Sequence, residues 1–420
     1  MKKIIGFDSW TGGAQHFARL MPSLSERSMQ LMLIHIGSWG NQPNCPREEQ
    51  INGLLVRDIS YYGTDALEKI LDIEKPDAVI LTSTETFAHR AFIRYCRQRS
   101  IPTLNLYHGL VNVQDIEGEI SSSGGVPSIS YIKYVVARIG KLIRHTLPCY
   151  SRALWKTNAS LSEWRRFLSD MVDLAVGAGS FWKGASDSKT TKCAVYVEAD
   201  VEHAVGTFGF NREDVYVVGI PDFIHFGLHK ELVGKWVPSD DQSLKSVMYI
   251  ETGFSSIGVY FSSTQDFATH LINAAHDLSK QGYKMCVKLK PRQVNTERLE
   301  RLLKESEIEL VSNKEFLQKL NLCSACITET TTLAMMPAAL GMPLFLAKFG
   351  KLSPLNYGSV LTSYPRGYLL DDVGSVSDIL ASDVESLNLD NLTKWIQLNI
   401  GPFPAEKMPE RVVDIIDEMT

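Results

Sequence analysis

The chain has 420 residues, 44% of them hydrophobic and 22% charged, a balance that excludes both a disordered and a purely fibrous protein. At roughly 100–200 residues per domain this length predicts two or three domains. Lys and Arg number 43 against 48 Asp and Glu, for a net charge of −5, which argues against a global nucleic-acid-binding surface, and no nucleic-acid partner is expected. The opening MKKIIGFDSW is broken by Asp8, and no run of about 18 apolar residues follows, so neither a signal peptide nor a membrane span is expected. Seven scattered cysteines cannot all pair, which suits a reducing cytoplasm. Cys323 and Cys326 form a CxxC without the second pair a zinc site needs, and buried strand thiols are the better reading.

In chain order, KKIIGFDSW is a predicted strand ending in the turn TGGAQ, and HFARLMPSLSER is a helix. MQLMLIHIG is a second strand, followed by a long polar loop around NQPNCPREEQ. TDALEKILDIEKP is a helix, DAVILTST a strand, TFAHRAFIRYCRQRS a helix and IPTLNLYHG a strand. Apolar runs such as DAVILT suit strands buried on both faces of a parallel sheet. A loop over 119–130, helices over about 131–147 and 161–175, and strands at KCAVYVEA and DVYVVGIP complete the first half. After a polar stretch the pattern restarts with strands at KSVMYIETGF, YKMCVKLKPR, IELVS, SACITET and MPLFLAK, separated by helices. Two successive βαβ sets predict an α/β protein with two doubly wound, Rossmann-like domains facing each other across a cleft.

Several segments carry candidate chemistry. In the first strand's turn, Thr11, Gly12 and Gly13 would let the backbone approach an acceptor or a phosphate, or form a plain tight turn. There is no GxGxxG to support a nicotinamide dinucleotide. His108 ends a strand, where ligands of open parallel sheets collect, and is a candidate base for an acceptor hydroxyl. The bland alternative is a histidine bonded to a loop carbonyl. Lys288, Lys290 and Arg292 gather three cations within five residues, and strand alternation sends Lys288 and Lys290 to one side, as a diphosphate clamp or a solvated edge. Thr330, Thr331 and Thr332 open a predicted helix, more hydroxyls than a single N-cap needs, and Glu329 beside them is a candidate for a ribose hydroxyl. Glu251, Gly253, Phe254 and Ser255 occupy the matching turn after that domain's first strand.

From 120 to 162 there is no Asp or Glu. The helix predicted over 131–147 sets Ile132, Val135, Ile139 and Leu142 opposite Lys133, Lys141 and Arg144, with Pro148 as its end. Peripheral contact with an anionic membrane through 131–147 is one reading and an ordinary surface helix the other.

The assembly resembles two-domain glycosyltransferases of the GT-B fold, especially those that build bacterial surface polysaccharides. FDSWTGGAQHF is similar to the Gly-rich first loop of many such enzymes. KPDAVILTSTETFAHRAFIRYCRQRSIPTLNLYHG resembles the stretch ending in a His-Gly turn in teichoic-acid glycerophosphotransferases, and CAVYVEADVEHAVGTFGFNREDVYVVGIPDF resembles their last N-terminal strand pair. ITETTTLAMMPAALGMPLFLA is similar to the nucleotide-sugar segment of this superfamily and of sugar-nucleotide 2-epimerases. The threonine cluster resembles the Ser/Thr pair that holds phosphate in CMP-sugar transferases. Two departures stand out: Pro337 falls where many retaining members carry a second glutamate, and Lys290-Pro291 replaces their relatives' His-Pro pair.

The resemblance implies an acceptor domain over 1–225, a linker over 226–244, a nucleotide-sugar donor domain over 245–402 and a C-terminal helix over 403–420. It implies a metal-independent transferase moving a sugar from a nucleotide sugar to a surface glycan such as capsule or O-antigen, with no cofactor and a glycan or lipid-linked acceptor. His108 and Asp222 are the expected catalytic pair. A cytoplasmic protein, peripheral at the inner membrane, is expected. The alternatives are a sugar-nucleotide 2-epimerase and a non-catalytic member of a synthase complex.

Overall fold

The structure is a computed structural model, described for residues 1–40, 42, 44–109, 140, 142–175, 185–237, 245–253, 260–290, 296–386 and 388–420, with the side chains of 173–175, 296 and 384–386 excepted. The chain divides into two compact units. Of the described residues, the first contains those within 1–109, 140–219 and 406–420, and the second those within 220–405.

Eight strands build the sheet of the first unit: β1 (Lys2–Asp8), β2 (Met29–His35), β3 (Glu48–Ile51), β4 (Leu54–Asp58), β5 (Ala78–Leu81), β6 (Thr103–Leu106), β7 (Lys192–Val195) and β8 (Val215–Val217). Their order is β3-β4-β2-β1-β5-β6-β7-β8, and every pairing except β3 with β4 is parallel. Central strands are apolar on both faces because helices cover both: Ile4, Ile5, Phe7, Val79, Ile80 and Leu81 are fully buried. Phe7 stacks on Phe92 of helix Phe87–Gln98, with ring centroids 4.2 Å apart. The polar loop expected around NQPNCPREEQ gives way at Glu48 to a strand, so that its last residues enter a β3–β4 hairpin. Its turn is Asn52-Gly53, both at positive φ (52° and 81°), the dipeptide that a two-residue hairpin favours.

Helix Met408–Met419 packs on this unit, with Lys2 paired to Asp417 at 2.9 Å and Arg411 donating to the Val218 carbonyl at 3.0 Å. A second departure lies at Pro148. It stands in the first turn of helix Leu147–Lys156 instead of ending a helix, a position where proline's missing N–H costs nothing. The helix expected over 131–147 falls outside the described residues except at Gly140, at Leu142–Thr146, which is π-helical, and at Leu147, which opens the next helix.

The second unit holds β9 (Ser246–Ile250), β10 (Lys284–Lys288), β11 (Glu309–Leu310), β12 (Ala325–Thr328), β13 (Leu344–Ala347) and β14 (Gly367–Leu370). All are parallel, in the order β11-β10-β9-β12-β13-β14. Residues 220–237 pack here too: Gly234 and Trp236 donate backbone N–H to the carbonyls of Ala339 and Leu340, both at 2.9 Å. Both sheets are therefore doubly wound, and each has one place where strand order reverses, between β1 and β5 and between β9 and β12. Ligands of such sheets bind beyond the carboxyl ends of the strands at that point.

Candidate functional site

Register fixes what meets at the reversal point of the second sheet. Thr328 of β12 pairs with Ile250 of β9, so the next residues, Glu329 and Glu251, emerge side by side. Both are buried, at 0% and 3% exposure. Two carboxylates in so dry a place need donors. Glu329 accepts from the Tyr249 hydroxyl (2.9 Å), the Thr252 N–H (2.9 Å) and the Thr252 hydroxyl (2.8 Å). Glu251 accepts from the backbone N–H groups of Gly253 and Lys290. Gly253 sits at φ 100°, which glycine alone adopts without strain.

Because β10 ends at Lys288, alternation does not carry on to Lys290. Lys288 is buried, donates to its neighbour's carbonyl (Leu289, 2.8 Å) and has its pKa lowered by burial, opposed by the Glu251 charge; Lys290 is exposed. The Thr331 hydroxyl caps the short helical turn that follows, accepting from the Leu333 N–H at 3.2 Å. Thr332 donates to Asp222 at 2.9 Å, while Thr330 is half-buried beside them. The second unit thus brings Glu251, Gly253, Lys288, Lys290, Glu329 and the threonines to one edge of the sheet and draws Asp222 to Thr332. Asp222 and His108 belong to different units. Phe254, Ser255 and Arg292 lie outside the described residues.

Burial and the neighbouring Glu251 charge push the Glu329 carboxyl up from 4.5 to about 8. The folded state holds a proton that the unfolded chain releases near 4.5. The group's contribution to stability is therefore complete below about pH 4.5 and is lost as pH rises through about 8. Glu329→Gln removes this titration. Between about pH 5 and pH 8 the variant's melting temperature should fall less than the wild type's, measured by circular dichroism. Equal slopes would place the titrating proton on another group.

At the reversal point of the first sheet, Leu81 of β5 pairs with Phe7, and just beyond, the Thr82 hydroxyl donates to Asp8 at 2.9 Å. The glycines of the β1 turn answer to this packing. A Cβ on Gly13 would stand 2.0 Å from the Asp8 carboxylate, and one on Gly12 would stand 2.5 Å from the Trp10 ring. Thr11 directs its N–H at the Gln42 side-chain oxygen (3.0 Å), and its hydroxyl lies 3.1 Å from the same atom. The donors of Thr11 are thus engaged within the protein.

His108, beyond the end of β6, is exposed, and its Nδ1 lies 2.6 Å from the Thr82 carbonyl oxygen. A carbonyl only accepts, so Nδ1 carries a proton, and in the neutral ring the lone pair is then on Nε2. Nε2 has no hydrogen-bond partner among the described residues. Two groups that sequence reasoning missed stand beside it. The His16 ring is edge-on at 6.2 Å, and burial, with Arg19 and His108 near, lowers its pKa to about 3, so it stays neutral. Burial raises the Glu85 carboxyl, a shift its attraction to His108 opposes. The signal available for both was position alone: each sits in the segment following a central strand.

One group of metal-ligand types gathers among the described residues. His35 and Asp58 pair in register across β2 and β4, and with Cys45 their ligand atoms lie within 4.8 Å of one another. Capping accounts for its geometry: Asp58 accepts from the Ser38 (3.0 Å) and Ser60 (2.9 Å) amides, and the Gly37 N–H points at His35 Nδ1 at 3.1 Å. Burial, with Asp58 beside it, pushes the Cys45 thiol up to about 11. No helix among the described residues is long and apolar enough to cross a membrane.

No family model and no curated protein sequence matches the chain. Among solved structures it is similar to CalG4, the calicheamicin glycosyltransferase, at 13% identity and a TM-score of 0.55, covering 100% of this chain and 98% of that one. A co-structure of S. aureus MnaA with UDP matches at 12% identity and a TM-score of 0.49, covering 99% and 96%. The wall teichoic acid polymerase TagF matches at 10% identity and 0.49, covering 99% and 88%. The likeness to CalG4, together with two sheets of Rossmann order, shows the fold to be GT-B.

Proposed function

We propose that the protein is a glycosyltransferase that moves a sugar from a nucleotide-sugar donor to a growing surface glycan, working on the cytoplasmic side of the membrane. The observation that carries the reading is the histidine at the edge of the first sheet: exposed, fixed through Nδ1 and presenting Nε2 as a base. An acceptor hydroxyl bonded to Nε2 loses its proton there as its oxygen attacks the anomeric carbon, and Glu85 offsets the imidazolium charge that forms.

The donor is assigned to the second sheet. Its nucleotide lies along the turns after β9 and β12, with Thr330–Thr332 near its phosphates; Glu329 is fully buried with both oxygens held by Tyr249 and Thr252, so it braces the turn from within and does not take the ribose-hydroxyl role the sequence suggested. The leaving charge falls on Lys288, Lys290 and Arg292 rather than on a metal ion. Asp222 acts through Thr332, which it orients. A thermal-shift screen of UDP, GDP, CMP and CDP derivatives tests the assignment. At least one ligand should raise the wild-type melting temperature, and Lys288→Ala/Lys290→Ala/Arg292→Ala should weaken that ligand by about 10- to 100-fold. Equal binding by the triple variant moves the donor elsewhere.

The buried pair Glu251 and Glu329 also favours a second reading, a sugar-nucleotide 2-epimerase, which needs carboxylates at strand ends. Incubation with a nucleotide sugar alone separates the two, since epimerisation requires no acceptor.

A further inference from the structure

Of the large apolar side chains most open to water, five fall within one stretch of 30 residues: Ile143 (62% exposed), Trp155 (78%), Leu161 (68%), Leu168 (56%) and Val172 (61%). Ile143 lies in the π-helical turn Leu142–Thr146, and the two helices that carry the other four, Leu147–Lys156 and Leu161–Ala175, already bury an apolar face. Cys149, Tyr150, Ala153, Leu154 and Phe167 are in the core, and Trp164 and Met171 pack against it. Core packing therefore does not account for the outer apolar side chains. Leu161, Arg165, Leu168 and Val172 follow one another at spacings of four, three and four, one face of a helix, and Pro148, Arg152 and Trp155 do the same on the preceding helix.

Cations are interleaved with these side chains. Arg144, Arg152 and Arg165 are exposed and make no salt bridge among the described residues. The described acids of the two helices face the other way. Glu163 is taken by Arg94 at 2.5 Å, and fully buried Asp170 is held by Arg90 (2.7 Å) and Arg166 (2.6 Å). From 140 to 175 the sequence carries six cations against three acids, in a chain whose overall charge is −5. Apolar strips laced with exposed arginines suit the boundary between anionic headgroups and acyl chains.

We propose that the outer face of helices Leu147–Lys156 and Leu161–Ala175 docks the protein on an anionic lipid surface. Trp155, Leu161, Leu168 and Val172 enter the interface while Arg144, Arg152 and Arg165 meet lipid phosphates. The proposal deepens the glycosyltransferase reading, which it rests on only for the consequence that a lipid-linked acceptor is met at that surface.

The test is sedimentation of the full chain with vesicles of phosphatidylcholine alone and of phosphatidylcholine mixed with phosphatidylglycerol, without acceptor or nucleotide. Wild type should partition onto the mixed vesicles at least tenfold more strongly than onto the neutral ones. Arg144→Ala/Arg152→Ala/Arg165→Ala should lower that partition by about 100-fold, each cation contributing about fivefold. Trp155→Ser/Leu168→Ser/Val172→Ser should lower it by about tenfold or more. All six positions are exposed, so both variants should melt like wild type. Failure of wild type to bind mixed vesicles, or binding unchanged in both variants, overturns the proposal. So does a lipid-free dimer that the serine variant converts to monomer, which makes the face a contact between copies. Nucleotide thermal shift on the same preparations reads the second sheet, so its absence in wild type counts against the donor assignment and leaves the lipid result standing.

Discussion

His108→Ala should lower turnover by about 100- to 10,000-fold while leaving nucleotide binding within about twofold of wild type. The size follows from what the side chain does in the proposed reaction. It takes a proton only as the acceptor oxygen attacks, so its loss is felt in kcat and not in the donor's KM, and the donor turns lie in the other unit. The tautomer makes the expectation sharper. Because the Thr82 carbonyl at 2.6 Å holds a proton on Nδ1, the neutral ring can be only the tautomer whose lone pair is on Nε2. His108→Asn keeps a donor for that carbonyl but has no basic nitrogen, so it should fold as wild type does and be about as inactive as the alanine variant. Glu85→Gln should cost less, about tenfold, since it removes only the charge that offsets the imidazolium. Substantial turnover in both His108 variants would sink the assignment of the base. Unaltered turnover with intact nucleotide binding would also favour the non-catalytic reading of the first unit's edge.

How far the sequence discloses this site depends on which contacts are local. Strand ends are legible because apolar runs stop at polar residues, and DAVILTST, IPTLNLYHG and SACITET locate the carboxyl edges of β5, β6 and β12 well. His108, Glu251 and Glu329 are found that way. Strand register is a long-range property, and it alone turns Glu251 and Glu329 into neighbours, 78 positions apart. Burial is equally hidden. Lys288 and Lys290 look alike in sequence, yet one closes the strand under the site and the other is exposed. The β3–β4 hairpin was legible in principle through Asn52-Gly53, but its short polar strand β3 resembles a loop because it lies at the sheet edge, with exposed and half-buried side chains. Glycine reads ambiguously for a related reason: Gly13 is required by the approach of Asp8, which the sequence places five positions away and only the fold brings to 2.0 Å of its missing Cβ.

Arg90 is where the first unit's stability should break most easily. At 1% exposure each nitrogen of its guanidinium has a fixed partner: Nε on Asp187 (2.8 Å), Nη1 on Asp170 (2.7 Å) and Nη2 on the Tyr150 hydroxyl (2.8 Å). Arg94, one turn along the same helix, continues the network to Glu163 (2.5 Å) and Thr157 (3.0 Å). Helix Phe87–Gln98 is thereby clamped to both helices of the proposed lipid face and to the loop at Asp187. A buried network of this kind adds little over a well-packed apolar one, but losing one partner strands the others. Arg90→Ala leaves two buried carboxylates short of a cation and should cost about 3–5 kcal/mol, lowering the melting temperature of this unit by about 10 °C. Arg90→Lys keeps the charge but not the planar fork and should recover part of the loss. Arg90→Met/Asp170→Asn/Asp187→Asn, which removes the charges together, should be more stable than Arg90→Ala alone. Because the same helix begins just after Thr82 and Glu85, the alanine variant should also lose turnover near its melting point sooner than it loses nucleotide binding. A variant that melts within about 1 °C of wild type would mean that Arg94 and Arg166 suffice to neutralise the two aspartates.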